Sequence, residues 1–208
     1  MTKSYSEQVT GMREQLFTQA PEAILKRFDG EAESLTEAGQ KALRVGEIAP
    51  DFTAVDATGR TFSLGTALAD GPVVLAFYRG AWCPYCNLQL ATLQSALDEI
   101  TARGARLVAL SPETPDNSLS LAEKHALKFE VLSDPSNRVA DEYGLVFTID
   151  PGIRDNYHAV GNDLSHIGWR LPVPATYVIG TDRRIRFAHI DGDYRKRAEA
   201  ADILKALD

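Results

Sequence analysis

The chain has 208 residues, 44% of them hydrophobic and 25% charged, the make-up of a globular protein and not of a disordered one. A net charge of -7 repels phosphate backbones and anionic lipid, which argues against nucleic acid and membrane surfaces as partners. No apolar run nears the roughly 20 residues that span a bilayer. The opening MTKSYSEQVT lacks the apolar stretch of a signal peptide, so a cytoplasmic protein is expected.

Residues 4–43 read as helical. Val9, Met12 and Leu16 recur at helical spacing, and Ile24, Leu25 and Phe28 continue the stripe after Pro21. An amphipathic arm of two or three helices, residues 1–44, is expected to bury its apolar face on the rest of the chain or on a second subunit, so a homodimer is one expected form. No ionisable group of the arm is tied by motif to any site, so the arm is expected to serve docking and not chemistry. From residue 45 to 208 a single domain is expected. Asp51 to Val55 and Thr61 to Leu64 flank Ala57-Thr58-Gly59-Arg60 as a hairpin. Val73 to Tyr78 reads as a central strand, apolar on both faces. Cys86, Leu90, Leu93, Leu97 and Ile100 keep to one face of a long helix that Gly104 ends. Ala105 to Leu110 and Phe129 to Leu132 are strands. A helix opens at Thr114-Pro115, and a short one runs from Asn137 to Tyr143. Residues 150–172 show no period and read as a loop. Thr176 to Ile179 and Ile185 to Ile190 form a late hairpin, and residues 195–207 a last helix. Strand–helix–strand units imply parallel pairing with helices on both faces, and the hairpin adds antiparallel edges.

Two cysteines in a chain of this length are not a disulfide framework. In a reducing compartment such a pair is catalytic or metal-binding. Cys83-Pro84-Tyr85-Cys86 follows the central strand and opens a helix. Pro84 suits the first helical position, where its missing N–H costs nothing. With Cys83 as the N-cap, the free N–H groups of the first turn and the helix dipole would favour a thiolate there. Cys86 lies one turn on, within disulfide reach. Trp82 and Tyr85 would flank the pair with an apolar rim. Half of a zinc site and a pair of inert core cysteines are the competing readings. Zinc needs two more ligands, and His125, His158, His166 and His189 form no metal-binding spacing.

Phe77-Tyr78-Arg79-Gly80-Ala81-Trp82-Cys83-Pro84-Tyr85-Cys86 resembles the active-site segment of the peroxiredoxin-like branch of the alkyl hydroperoxide reductase/thiol-specific antioxidant family. Gly46-Glu47-Ile48-Ala49-Pro50-Asp51-Phe52, Phe129 to Pro135, Val139 to Gly144 and Val173 to Ile179 resemble its other motifs, in order. The resemblance covers roughly residues 45–207 and leaves the arm outside. It implies a thioredoxin-like α/β fold, a mixed central sheet with helices on both faces. It also places Cys86 where the peroxide-attacking cysteine stands, with Cys83 replacing a hydroxyl residue. Pro174 occupies the place of an arginine. Val173-Pro174-Ala175-Thr176 is similar to the cis-proline segment of thioredoxins, which implies a cis bond at Pro174 and Val173 backbone groups facing substrate. The C-P-Y-C tetrad is also that of glutaredoxins.

The resemblance implies an enzyme, a thiol-dependent peroxidase. Cys83 and Cys86 are its expected catalytic residues, with Trp82, Pro84, Tyr85, Arg79, Val173 and Pro174 supporting them or the substrate. Hydrogen peroxide or an organic hydroperoxide would oxidise one cysteine, the other would close a Cys83–Cys86 disulfide, and an external thiol such as thioredoxin or glutathione would reduce it. No metal, flavin or nucleotide cofactor is expected. A thiol–disulfide oxidoreductase acting on protein or glutathione disulfides and a non-catalytic redox sensor are the alternatives. On which sulfur reacts first, the N-cap position favours Cys83 and the family register favours Cys86.

Overall fold

The arm folds as two helices, α1 (Tyr5–Gln19) and α2 (Glu22–Ser34), followed by a 3-10 turn at Leu35–Glu37. The computed structural model describes residues 3–56 and 58–208. Ser4 starts α1 through a capping box, its hydroxyl accepting from the Glu7 N–H and its own N–H donating to the Glu7 carboxylate. Beyond the arm, β1 (Thr53–Asp56) and β2 (Thr61–Ser63) pair antiparallel, as the hairpin reading expects; Ala57 lies outside the described residues. A short helix α3 (Leu64–Asp70), absent from the sequence reading, leads into β3 (Val73–Phe77).

Helix α4 (Pro84–Ser95) follows β3 with Cys83 as its N-cap and Pro84 as its first residue. The long helix expected through Ile100 is two pieces, because the chain changes course at Ala96 (ψ -1°) before α5 (Leu97–Ala102). Next come β4 (Arg106–Ser111), α6 (Pro115–Lys124), β5 (Glu130–Ser133) and α7 (Arg138–Glu142). The stretch read as a loop is structured. Its end, β7 (Arg170–Pro172), pairs with β6 (Val146–Thr148) just before it, α8 (Arg154–Ala159) lies between them, and Tyr157, Leu164, Trp169 and Leu171 close a small core of their own. Each piece is too short for a period to show. The chain ends with β8 (Ala175–Ile179), β9 (Ile185–Ile190) and α9 (Ala200–Lys205), shorter than the helix expected from residue 195.

The main sheet has seven strands in the order β2-β1-β5-β4-β3-β8-β9. Strands β3, β4 and β5 run parallel, while β8 and β9 add antiparallel neighbours on the other side of β3. Strand β3 is thus central, and all five of its residues are buried, which is why its sequence is apolar throughout. Alternation splits the core. Val73, Leu75 and Phe77 face α3 and α7, whereas Val74 and Ala76 face Cys86, Leu90 and Leu93 of α4.

A strap, residues 191–199, joins β9 to α9 and ties the arm down. Glu199 accepts from the N–H groups of Tyr5 (2.9 Å) and Ser6 (2.9 Å), the first two of α1. Tyr5 Oη donates to the Arg195 carbonyl (2.8 Å), and Arg195 pairs with Asp29 of α2 (2.8 Å). Gly192 sits so close to the arm that a Cβ there would lie 1.7 Å from the Leu35 carbonyl oxygen. Among the described residues no helix is long and apolar enough to cross a membrane.

Candidate active site

The turn between β3 and α4 carries both sulfurs. Gly80 is required in it, since a Cβ there would lie 2.4 Å from Trp82 Nε1 and 2.6 Å from Glu113 Oε1. The turn is pinned by Ala81 N–H donating to Glu113 (3.1 Å) and by Asn87 Nδ2 donating to the Ala81 carbonyl (2.9 Å). Cys83 and Cys86 are free thiols, 2% and 0% exposed.

The first turn of α4 does not serve Cys83 as the N-cap argument expects. The Cys86 and Asn87 N–H groups both donate to the Cys83 carbonyl, at 3.0 and 3.1 Å, and the Cys83 side chain makes no capping hydrogen bond. The donors converge on Cys86 instead. The Arg79 backbone N–H reaches its Sγ at 3.4 Å, and Arg197 Nη2, from the strap, reaches it at 3.4 Å. Burial alone would push the Cys86 thiol up. The Cys83 thiol as hydrogen-bond partner, the Arg197 charge and the Arg79 N–H outweigh it and hold Cys86 well below the usual thiol range. Burial, the hydrogen bond to Cys86 and that sulfur's charge push Cys83 well above it, against the pull of Arg79 and Arg197. Of the two sulfurs, Cys86 is thus the one whose surroundings favour the charged form, and Cys83 the one held protonated.

The charges of the buried cluster point the same way. Two guanidiniums are buried here, Arg79 (2% exposed) and Arg197 (7%), and one carboxylate, Glu31 of α2 (8%). Glu31 pairs with Arg79 at 3.8 Å. It also accepts from Tyr157 Oη (2.8 Å) and Tyr194 Oη (3.2 Å), and Arg79 in turn donates to Tyr157 Oη. The Arg79 guanidinium lies 4.0 Å from the Tyr194 ring centroid and 5.2 Å from that of Trp82. Arg197 has no carboxylate partner among the described residues; its Nε donates to the Tyr194 carbonyl (2.7 Å) and its Nη2 to Cys86. A buried cation without a counter-ion is costly by several kcal/mol, and negative charge on the Cys86 sulfur offsets that cost. Gln89 of α4 fixes the strap at this point by donating to the Ala198 carbonyl (3.3 Å).

A mainly apolar cavity of about 380 Å³ leads in from solvent to Cys83. It is lined by Trp82, Pro84 and Tyr85, by Leu25 and Phe28 of α2 and by Phe17 of α1. Arg13 of α1 donates to Tyr85 Oη (2.8 Å) and pairs with Asp29. Cys83, Cys86, Trp82, Pro84, Tyr85 and Arg79 are therefore brought together. Val173 and Pro174 are not among the residues around the cavity. The Val173 side chain packs on the opposite face of the sheet, and its N–H donates to the Leu145 carbonyl (2.8 Å). The expected cis bond is absent: no peptide among the described residues is cis, so Val173–Pro174 is trans. The arm, expected to serve docking, packs against this site: α2 supplies Glu31, and arm residues line the cavity at Cys83. Arg197, Glu31, Tyr157 and Tyr194 escaped the sequence reading. Glu31 left a trace, a carboxylate three residues after Phe28 on the apolar stripe of α2. Arg197 left little, the last of a basic run Arg195-Lys196-Arg197 in an acidic chain.

Peroxiredoxin Bcp of Escherichia coli (strain K12) is 32% identical over 103 residues, 50% of this chain and 65% of that protein. A chloroplastic Peroxiredoxin Q of Populus jackii is 32% identical over 100 residues, 48% of this chain and 46% of that one. The chain thus spans less than two thirds of the length of these curated relatives. The crystal structure of peroxidoxin BcpB from Mycobacterium tuberculosis superposes with a TM-score of 0.64 at 25% identity, covering 79% of this chain and 96% of that one. The fold is the thioredoxin-like α/β architecture expected, with its mixed central sheet. A sequence profile of the AhpC/TSA family matches residues 45–188, from before the first hairpin to within β9. Arg13 and Glu31 precede that stretch and Arg197 follows it. The match takes in β3, the cysteine turn and α4, and by it the chain belongs to the AhpC/TSA family.

Proposed function

We propose that the chain is a thiol-dependent peroxidase in which Cys86 attacks and Cys83 resolves. The observation that carries this reading is the Cys86 sulfur itself, buried and met by the Arg79 N–H and the Arg197 guanidinium, both of which favour its charged form. The thiolate electron pair attacks a peroxide oxygen, the S–O bond forms and the O–O bond breaks. Cys86 becomes a sulfenic acid, and the departing hydroxide or alkoxide takes a proton from water. Arg197 offsets negative charge as it moves from sulfur to the leaving oxygen. Cys83, one turn away, then condenses with the sulfenic acid, releasing water and closing the Cys83–Cys86 disulfide. An external thiol such as thioredoxin or glutathione returns both sulfurs to the reduced state. Trp82, Pro84 and Tyr85 wall the approach. A cytoplasmic place of work belongs to the same reading, since a reducing thiol pool recycles the disulfide there. So does a division into the arm, residues 1–44, and a peroxidase domain, residues 45–208. Burial of Cys83 beneath the arm favours peroxide over a protein disulfide as the oxidant.

Rapid mixing of the reduced protein with peroxide, in wild type and in each cysteine variant, tests this. Cys83→Ser should still form a trappable sulfenic acid at Cys86 and no intramolecular disulfide. Cys86→Ser should lose the fast reaction. A fast adduct on Cys83 in the Cys86→Ser variant overturns the assignment.

A further inference from the structure

The geometry points to Glu31 of the arm as the positioning residue that decides which of the two sulfurs carries the negative charge. This rests on the reading of Cys86 as the attacking sulfur. The cysteine pair sits between two buried guanidiniums that differ in one respect. Arg79 has a carboxylate partner in Glu31, held in place by the Tyr157 and Tyr194 hydroxyls. Arg197 has none among the described residues and turns to Cys86. The charge of Arg79 acts on Cys83, while that of Arg197 acts on both sulfurs and donates to Cys86. Neutralising Arg79 therefore removes support for a thiolate at Cys83 and leaves Cys86 as the favoured site. Glu31 touches neither sulfur nor substrate; it acts through Arg79.

The other groups around Cys83 do not supply this asymmetry. Tyr5, Tyr85 and Tyr194 are the neighbouring phenols, and burial raises all three, so they stay neutral. Tyr157, beyond Arg79, is raised in the same way. Arg13 pairs with Asp29, and Arg195 with both Asp29 and Asp193, so this rim network carries its own compensation. Among the described residues Glu31 is the one carboxylate in the buried cluster, and it is contributed by a helix outside the family-matched stretch.

The test is the ultraviolet absorbance of the thiolate against pH in the reduced full-length chain, with one cysteine present at a time. This readout needs no substrate access and no turnover. In the Cys86→Ser background, Glu31→Gln should raise the ionisation constant of Cys83 by about tenfold or more, the effect of exposing it to an unpaired cation. In the Cys83→Ser background the same change should move Cys86 far less. Glu31→Asp should restore the parent titration of Cys83. The charge-neutral double variant Glu31→Gln/Arg79→Met removes the pair together and should also return Cys83 to its parent value, which a general loosening of the fold would not do. Where Glu31→Gln alone does not fold, Arg79→Met reads the same coupling with opposite sign, making Cys83 harder to ionise. An unmoved Cys83 titration, equal movement of both sulfurs, or a double variant that stays shifted overturns the proposal. Peroxide turnover, measured separately, reports on the peroxidase reading and can fail or hold independently.

Discussion

Replacing Arg197 with Met should slow the reaction of Cys86 with peroxide at neutral pH by about 10- to 150-fold. The two groups stand 3.4 Å apart in a site closed to water. At an effective dielectric constant near 20, unit charges at that distance attract by roughly 5 kcal/mol, an upper limit before the variant relaxes. A charge-assisted hydrogen bond is worth about 1.5–3 kcal/mol net, which converts to the range given. The assay is single-turnover mixing of reduced protein with excess peroxide across pH, read by sulfenic-acid trapping. The wild-type rate should depend less on pH through the neutral range than the variant's, because the Arg197 charge and the donors around Cys86 lower the pH at which it ionises. The Arg197→Met rate should climb with pH and close part of the gap towards and beyond about 8.5, where an unassisted thiol ionises. Arg197→Lys, which keeps the charge, should recover part of the rate. A methionine variant as fast as wild type at neutral pH refutes the counter-ion argument. So does a deficit that stays constant with pH, which would mean a purely structural defect.

Gly192→Ala places a methyl group against the Leu35 carbonyl, so the arm must shift; a loss of about 1–3 kcal/mol is expected in denaturant titration, with faster alkylation of Cys83 as the roof lifts. Unchanged stability and unchanged alkylation would show that the arm does not pack there. Asp56, in the β1–β2 turn, accepts from the Thr58 N–H and hydroxyl and the Arg60 N–H, at 2.8, 2.8 and 2.9 Å. Against the opposing effect of burial, these bonds hold its carboxyl at about 2 in place of the usual 3.8. A lowered folded value means that the stabilisation is complete above the unfolded value and disappears as pH falls through about 2. Asp56→Asn should therefore lose stability at neutral pH and show a shallower loss on acidification; a parallel acid profile in variant and wild type would contradict this.

The parts of the fold that were legible in the sequence are those where local chemistry and tertiary placement agree. Strand β3 is apolar on both faces because it lies mid-sheet with helices above and below, and Pro84 announces a helix start because only there is its missing N–H harmless. The parallel order of β3, β4 and β5 follows from the helices that connect them. The break at Ala96 could not be read, since no Gly or Pro marks it and Leu93, Leu97 and Ile100 keep a helical rhythm across it. Of the candidate site, the cysteine pair and its walls were readable, but the assignment of charge within the pair was not. Helix α4 taken alone would favour charge at its N-cap, Cys83. In the fold, the first-turn donors go to the Cys83 carbonyl, and the deciding cation arrives from the strap. Val173 illustrates the reverse, a residue whose motif is right in sequence while its side chain faces the other half of the core.

The long separation between Cys86 and its guanidinium partner has a consequence for the birth of the protein. Arg197 lies 111 residues downstream of the sulfur it stabilises. At translation rates of about 5–20 residues per second, that interval lasts roughly 5–20 s. During it the nascent chain already holds both cysteines but lacks the counter-charge, so Cys86 is an ordinary thiol with an ordinary, slow response to oxidants. Ionisation of the sulfur is thereby tied to docking of the strap. The vulnerable form of the cysteine exists only in chains that have folded around it.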